Sequence, residues 1–83
     1  MAEKITVQVL QIDKSASRGQ VRSHGIVMDR PEAKGGSDQG PMGGEVLLQA
    51  LGGCFMSNLL AAAAAREVTI RNAALEIVAH HCR

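Results

Sequence analysis

The chain has 83 residues and a formal net charge of +1, from nine Lys and Arg against eight Asp and Glu. It has no basic run, and Phe55 is its single aromatic residue, so we expect no nucleic-acid binding. This length predicts one small domain, and a core of Ala, Val, Leu and Ile without aromatic bulk would be marginal in a monomer. We therefore expect part of the apolar surface to pack against a second copy.

The N-terminus, "MAEKITVQVLQ", is charged early and leads directly into a strand-like pattern. It has no apolar signal-peptide region and no cleavage site. The two cysteines, Cys54 and Cys82, then indicate a reducing compartment in which thiols stay free. We predict a cytoplasmic protein.

The first part of the chain predicts a β-hairpin. Apolar and polar residues alternate over residues 4–12, which is typical of a half-buried strand. Residues 13–19 are rich in turn formers, and residues 20–29 return to extended character, so the connecting loop is expected to be loose. On the second strand of this hairpin, Arg22 and His24 would share one face.

Residues 30–44 contain five glycines and both prolines, which predicts a loop. Loops of this length are usually functional or disordered. A glycine-rich loop before a helix can also cradle phosphate, but the segment has neither a Gly-Lys-Ser/Thr ending nor a GxGxxG pattern. A phosphate-binding loop is therefore not favoured.

A long helix is predicted next, from near Gly44 or Glu45 to about Arg66, with Glu45 placed favourably in the first turn. Apolar residues surround it, so we expect burial on most sides. Residues 46–65 are also long enough to cross a bilayer. They are rich in Ala and Gly and lack aromatic anchors, so a buried helix in a soluble dimer is preferred to a membrane span, which remains an alternative.

After the helix, Leu75, Ile77 and Ala79 alternate with Glu76 and Val78, which predicts a third strand.

At the end of the chain, His80 and Cys82 would share a face. Two donors are too few for a closed zinc site, so we predict no metal and no cofactor.

The stretch Gly52-Gly53-Cys54 is unexpected inside a helix, because each glycine costs about 1 kcal/mol relative to alanine. Missing side chains would let a substrate or another backbone approach the sulfur of Cys54. Composition alone favours the other interpretation, in which small residues permit a tight helix crossing and Cys54 is a buried apolar residue.

A reactive Cys54 thiolate would need a cation, because the helix terminus is too distant to stabilise it. The candidates are Arg18, Arg22 and Arg30, and the sequence does not choose among them.

The segment "GGSDQGPMGGEVLLQALGGCFMSNLLAAA" resembles the motif of the family of osmotically induced and organic hydroperoxide resistance proteins, the OsmC/Ohr family. That motif combines a Gly-rich loop, Gly-Pro, Glu, Leu-Leu, Ala-Leu-Gly and a Cys on a long central helix. The match runs from Gly35 to about Ala65 and is flanked by "DRP" and by strand-like segments. The chain is more similar to the OsmC-like branch than to the Ohr branch.

The resemblance implies an α+β fold with an N-terminal β-hairpin, a Gly-rich loop, a long central helix and a further strand, completed by an intertwined homodimer with active sites at the subunit interface. It also implies a thiol peroxidase that acts in oxidative-stress defence. In such enzymes a cysteine, here Cys54, attacks an organic hydroperoxide and becomes a sulfenic acid. An arginine and a glutamate, here Glu45, hold the thiolate. A second cysteine, the resolving cysteine, then forms a disulfide with the first, and an external dithiol reopens it.

The chain departs from the family pattern in its length, in its second cysteine and in the two residues before Glu45. It matches only the N-terminal half of the family domain, so residues 1–83 are expected to form one domain of a shortened or longer protein. Cys82 lies 28 positions after Cys54 and does not match the resolving cysteine. Gly43 replaces a proline, and Gly44 stands where Ohr members have their glutamate. The alternative is a non-catalytic dimer or an apolar-ligand-binding module, with Cys54 as packing.

Overall fold

The structure, a computed structural model, describes residues 3–80. It contains three strands, a short 3-10 helix and one long α-helix, and the predicted α+β class is confirmed. In chain order these elements are β1 (Gln8–Gln11), β2 (Ser17–Val21), β3 (His24–Met28), the 3-10 helix (Glu32–Lys34) and α1 (Gly43–Ala65). The chain forms two compact units that meet between Val46 and Leu47, and each is described by itself.

The first unit holds an antiparallel sheet in the order β1-β2-β3. Gly19, in the central strand, pairs with Val9 on one side and with Ile26 on the other. The connection between β1 and β2 is closed by backbone bonds from the N–H groups of Ile12 and Asp13 to the carbonyl oxygen of Ala16, at 3.0 and 3.3 Å. The predicted hairpin is therefore a three-stranded meander.

The prediction that residues 20–29 form one strand is wrong. Val21 pairs with His24 across a tight turn, in which Arg22 has a positive φ of 53°. Arg22 and His24 thus do not share a face of one strand, and the expected loose loop over residues 13–19 contains the start of β2. The turn was missed because Arg22-Ser23 lacks the Asn-Gly or Asp-Gly signal of a two-residue hairpin.

The glycine-rich loop after β3 is ordered around the carboxylate of Asp29, which is only 4% exposed. Its Oδ1 accepts the N–H of Arg30 at 2.7 Å, and its Oδ2 accepts the N–H groups of Ser37 and Gln39, each at 3.2 Å. The backbone N–H of Asp29 donates to the carbonyl oxygen of Pro41 at 3.0 Å. The side chain of Asp29 therefore fixes the start and the middle of the loop, and its backbone N–H fixes Pro41.

Two glycines of this loop are required by the backbone that they contact. A Cβ atom on Gly36 would collide with the carbonyl oxygen of Arg30, and one on Gly40 would collide with that of Val27. A carbonyl oxygen inside a bonded loop cannot turn away as a side chain can. Only glycine therefore lets the backbone at positions 36 and 40 lie directly against the backbone at Arg30 and Val27.

The bounds predicted for α1 are confirmed to within one or two residues, and its C-terminus is built by a Schellman motif. The N–H of Glu67 donates to the carbonyl of Ala64 at 3.0 Å, and the N–H of Val68 donates to that of Ala63 at 2.8 Å. Glu67 adopts a positive φ of 58°, as the motif requires. Position 67 carries glutamate where glycine is usual, so the chain accepts some backbone strain to end the helix here.

The strand predicted through Leu75, Ile77 and Ala79 is not formed, and residues 66–80 contain no strand. This segment leaves α1, turns at Asn72 with a φ of 62°, and remains exposed. An alternating pattern predicts which face of a strand is apolar, but a segment becomes a strand only when a neighbouring strand pairs with its backbone N–H and C=O groups.

Apolar side chains are poorly covered throughout the described residues. Ala16, 1% exposed, is the only buried apolar residue among them, and α1 has no buried residue. The burial expected for α1 is thus not provided by this chain alone. By length and composition α1 could cross a membrane, a test that core helices of soluble proteins also pass.

Candidate active site

Helix α1 presents the thiol of Cys54 at its surface. Within the described residues Cys54 is a free and exposed cysteine. The side-chain Nδ2 of Asn58, one turn later, donates to the carbonyl oxygen of Cys54 at 3.0 Å. This bond occupies the backbone of Cys54 and leaves its sulfur open, so a small molecule can reach it.

Cys54 borders a strip of apolar side chains, which we call the α1 strip. Its members recur every four residues and therefore follow one face of the helix. They are exposed by 62% at Leu47, 60% at Leu51, 60% at Phe55 and 38% at Leu59. Cys54 lies three residues after Leu51 and directly before Phe55, so its thiol is flanked by apolar surface.

The two glycines before Cys54 have different surroundings. A Cβ atom on Gly52 would lie 2.5 Å from Cδ1 of Ile77, whereas one on Gly53 would meet nothing within 4 Å. The missing side chain at Gly52 therefore leaves room for the side chain of Ile77 against α1. At Gly53 the structure leaves open space beside Cys54.

Glu45 caps the start of α1. Its Oε1 accepts the backbone N–H of Met42 at 2.8 Å, and Met42 directly precedes the first helical residue, Gly43. A glutamate at the third helical position that bonds to the residue before the helix is one half of a capping box. The carboxylate also lies in the first turn, where the helix dipole favours negative charge. Glu45 thus has a structural role besides the catalytic one predicted for it.

Cys54 and Glu45 lie on the same helix, separated by nine residues. At 1.5 Å per residue this corresponds to about 14 Å along the axis. Nine residues also make two and a half turns, so the two positions leave opposite sides of α1. Two side chains so placed on one helix cannot act on one sulfur atom, and a shared site would need Glu45 of a second copy.

The three candidate arginines occupy different places in the first unit. Arg18 lies on β2 with its guanidinium over the sheet at Gly25, where a Cβ atom would be 2.5 Å from Nη2. Arg22 is in the turn between β2 and β3. Arg30 lines a cavity of about 530 Å³ with Lys34 and the first residues of α1. The choice among them stays open.

The buried carboxylate of Asp29 is the polar feature that sequence reasoning missed. Burial raises its pKa, but hydrogen bonds from the side chain of Ser15 and from the backbones of Gln39, Arg30 and Ser37 lower it, and the pKa falls below the ordinary value of 3.8. Its only sequence signal was its place in "DRP" before the loop. Asp29 is therefore a structural residue, because both of its carboxylate oxygens already accept hydrogen bonds from the loop.

The remaining predicted donors are at the C-terminus. His80 is exposed, and Cys82 lies outside the described residues. Among residues 3–80, no group of three or more His, Cys, Asp or Glu side chains could hold a metal ion.

Comparison with protein-family models, with curated proteins and with solved structures found no match to this chain.

Proposed function

We propose that the chain is a thiol-dependent peroxidase that reduces organic hydroperoxides through Cys54. The observation that carries this proposal is the exposed thiol of Cys54 on the border of the apolar α1 strip. An alkyl or aryl hydroperoxide has an apolar body and one reactive O–O bond. The strip offers contact to that body while the thiol is within reach of the bond.

The chemistry is a nucleophilic substitution at oxygen. The Cys54 thiolate attacks the outer peroxide oxygen, an S–O bond forms, the O–O bond breaks, and the leaving alkoxide takes a proton to become the alcohol. A thiol of an external dithiol then condenses with the sulfenic acid and releases water. Its second thiol opens the mixed disulfide and restores Cys54. Cys82 is a second candidate for the condensing thiol.

The proposed active form is a cytoplasmic homodimer. Glu45 of one copy is the candidate carboxylate beside Cys54 of the other, because the two positions lie on opposite sides of one helix. Arg18, Arg22 and Arg30 remain the candidate cations. The exposed apolar surface of α1 supports a dimer, since it is left uncovered within one chain.

Turnover of cumene hydroperoxide with dithiothreitol as the dithiol tests this function. The account predicts peroxide consumption that is lost in Cys54→Ser and retained in Cys82→Ser if the external dithiol condenses directly. Glu45→Gln is an informative third variant, since glutamine also completes a capping box and removes only the charge. Consumption that persists in Cys54→Ser would refute the proposal.

The second candidate is a non-catalytic module that binds an apolar ligand. It is favoured by a groove of about 220 Å³ on the sheet, lined mainly by apolar residues that include Val9, Ile26 and Met28. This candidate predicts that a fluorescent fatty acid binds with equal affinity to the wild type and to Cys54→Ser. It also predicts no peroxide turnover.

A further inference from the structure

We propose that the cavity of about 530 Å³ beside Arg30 and Lys34, which we call the basic cavity, binds a monocarboxylate with an apolar body. The two cations would hold the carboxylate. The body would lie on the apolar side chains of the lining, which are Val9, Met28 and Met42. All residues that line the cavity belong to the first unit, and Cys54 is not among them, so the inference goes beyond the proposed peroxidase.

The charges that line the basic cavity favour a ligand with one negative charge. Arg30 and Lys34 each bring one positive charge, and Asp29 brings the one negative charge. Two cations and one carboxylate leave a net charge of +1, which a monoanion neutralises. The carboxylate of Asp29 is already bonded to backbone N–H groups of the loop. Within residues 3–80, neither the guanidinium of Arg30 nor the ammonium of Lys34 donates a hydrogen bond to a protein group, so both can donate to a ligand.

Both cations lie on a part of the loop that backbone hydrogen bonds hold in place. The N–H of Arg30 donates to Oδ1 of Asp29 at 2.7 Å, and its carbonyl oxygen accepts the N–H of Asp38 at 2.9 Å. The N–H of Lys34 donates to the carbonyl oxygen of Pro31 at 2.9 Å. These bonds fix the points at which the two side chains leave the backbone and do not use their charged groups. A ligand would therefore bind without having to order the loop, which lowers the cost of binding.

The apolar part of the lining indicates the rest of the ligand. Met28 and Met42 have flexible thioether side chains, which adapt to irregular shapes and make favourable contacts with aromatic rings. The carboxylate of Glu45 lies beside Met42, since it accepts the N–H of that residue at 2.8 Å. A negative charge of the ligand would be repelled there. The ligand carboxylate would thus lie at Arg30 and Lys34, and its apolar body would lie toward Met42.

The size of the basic cavity fits an organic acid better than an inorganic ion. Sites for small molecules usually enclose about 300–1,000 Å³, and the cavity has about 530 Å³. Inorganic phosphate would leave most of this space unfilled. The half-buried Ser17, on β2, adds a hydroxyl group to the lining. The guanidinium of Arg30 matches a carboxylate in particular, because the two groups can form a pair of parallel hydrogen bonds.

Binding of 2-naphthoate tests the inference. This probe is a monocarboxylate with an aromatic body, and its fluorescence can be followed without interference because the chain has no Trp or Tyr. We expect saturable binding to the wild type. The amide 2-naphthamide has nearly the same shape without the charge. Its Kd should be about tenfold higher or more, the effect of losing hydrogen bonds to a charged group.

Substitution of the two cations tests their roles. Arg30→Met removes the charge and keeps an unbranched side chain, and it should raise the Kd of 2-naphthoate about tenfold or more. Arg22→Met is the matched control, because Arg22 lies in the turn between β2 and β3 and does not line the cavity. Lys34→Met should raise the Kd by a smaller factor, since an ammonium group acts as a point charge, and Lys14→Met is its control. Both controls should match the wild type, and circular dichroism must show equal folding of all four variants.

Amide chemical shifts in NMR spectra locate the bound probe. The largest changes are expected at the N–H groups of Arg30, Lys34 and Gly43, which line the basic cavity. Changes centred on Gly25 would place the probe in the apolar groove on the sheet and overturn the inference.

Three other results would also overturn it: equal affinity for 2-naphthoate and 2-naphthamide, equal weakening by Arg30→Met and Arg22→Met, or no saturable binding at millimolar concentration. Peroxide turnover is measured separately. A chain that binds 2-naphthoate in the basic cavity but has an inert Cys54 refutes the proposed function and leaves this inference standing. An active peroxidase that does not bind 2-naphthoate does the reverse.

Discussion

The glycines of the loop and the glycines of α1 are alike in sequence but differ in what they contact. Gly36 and Gly40 lie against carbonyl oxygens of their own chain, so the fold itself requires them. Gly44 and Gly53, in the helix, have open space where a side chain would be. Gly36 and Gly40 therefore serve the fold of one chain, whereas a side chain at Gly44 or Gly53 would meet no atom of this chain within 4 Å. The thiol of Cys54 follows directly after this open position.

The largest expected effect is in the loop. Gly40→Ala should lower the free energy of unfolding by about 3 kcal/mol, the upper end for overpacking, because the added methyl collides with backbone. Gly44→Ala is the control and should stabilise by up to about 1 kcal/mol through helix propensity. Urea unfolding measures both. If both changes gave the same sign, the contrast between loop and helix glycines would be lost.

Asp29→Asn should destabilise the loop unit less than Gly40→Ala and more than the loss of the helix cap. The amide nitrogen would face the N–H groups of Ser37 and Gln39, which now donate to the carboxylate.

This effect should depend on pH, because hydrogen bonds lower the pKa of Asp29 below 3.8. A carboxyl group with a lowered pKa in the folded state stabilises that state above its ordinary pKa, and the contribution is lost as pH falls through the folded value. Unfolding of wild type and Asp29→Asn at neutral pH and well below pH 3.8 should therefore show a difference that shrinks in acid. A constant difference would mean that the carboxylate charge is not what holds the loop.

Removal of the cap at α1 should cost about 1 kcal/mol in Glu45→Ala, a typical value for a helix cap. Glu45→Gln should cost much less, because the amide oxygen can still accept the N–H of Met42. Thermal unfolding followed by circular dichroism compares the two. Equal losses would indicate that the charge beside the helix terminus matters more than the hydrogen bond.

The smallest expected effect is the difference in the free energy of unfolding between Gly53→Ala and Gly52→Ala. Gly53→Ala should stabilise by about 1 kcal/mol through helix propensity, since nothing lies within 4 Å. Gly52→Ala should gain less, because the tip of Ile77 must move. The same two variants also bear on function: if Gly53→Ala slows peroxide consumption while it stabilises the fold, the open space serves the substrate.

The sequence predicted α1 almost to its ends, because a long apolar run bounded by Gly-Gly and by Arg66 is a strong local signal. Two predictions are wrong, for different reasons: that residues 20–29 form one strand, which the turn at Arg22 interrupts, and that Leu75 to Ala79 form a strand. Arg22 carries no turn signal, and Leu75 to Ala79 has the pattern of a strand without a neighbour to pair with. The role of Asp29 could not be predicted from the sequence. Its partner Gln39 lies ten residues away, and a hydrogen bond over that distance produces no periodic pattern of residues.

The sequence motif around Cys54 predicts this thiol and Glu45 as site residues, but the sequence does not choose among the three arginines. Glu45 accepts the N–H of Met42 and so caps α1. The three arginines belong to the first unit, which ends at Val46. In the proposed dimer a second copy would complete the site, and the local pattern of one chain does not show which residues that copy brings.

The most direct test of the account is intact-mass spectrometry of the protein after a brief, near-stoichiometric dose of cumene hydroperoxide. We expect the Cys82→Ser variant to gain one oxygen atom, or a dimedone adduct in its place when dimedone is present, and Cys54→Ser to gain neither. If Cys54 remains reduced while an exposed control thiol in the same solution is oxidised, Cys54 is not a peroxidatic cysteine and the central claim is contradicted.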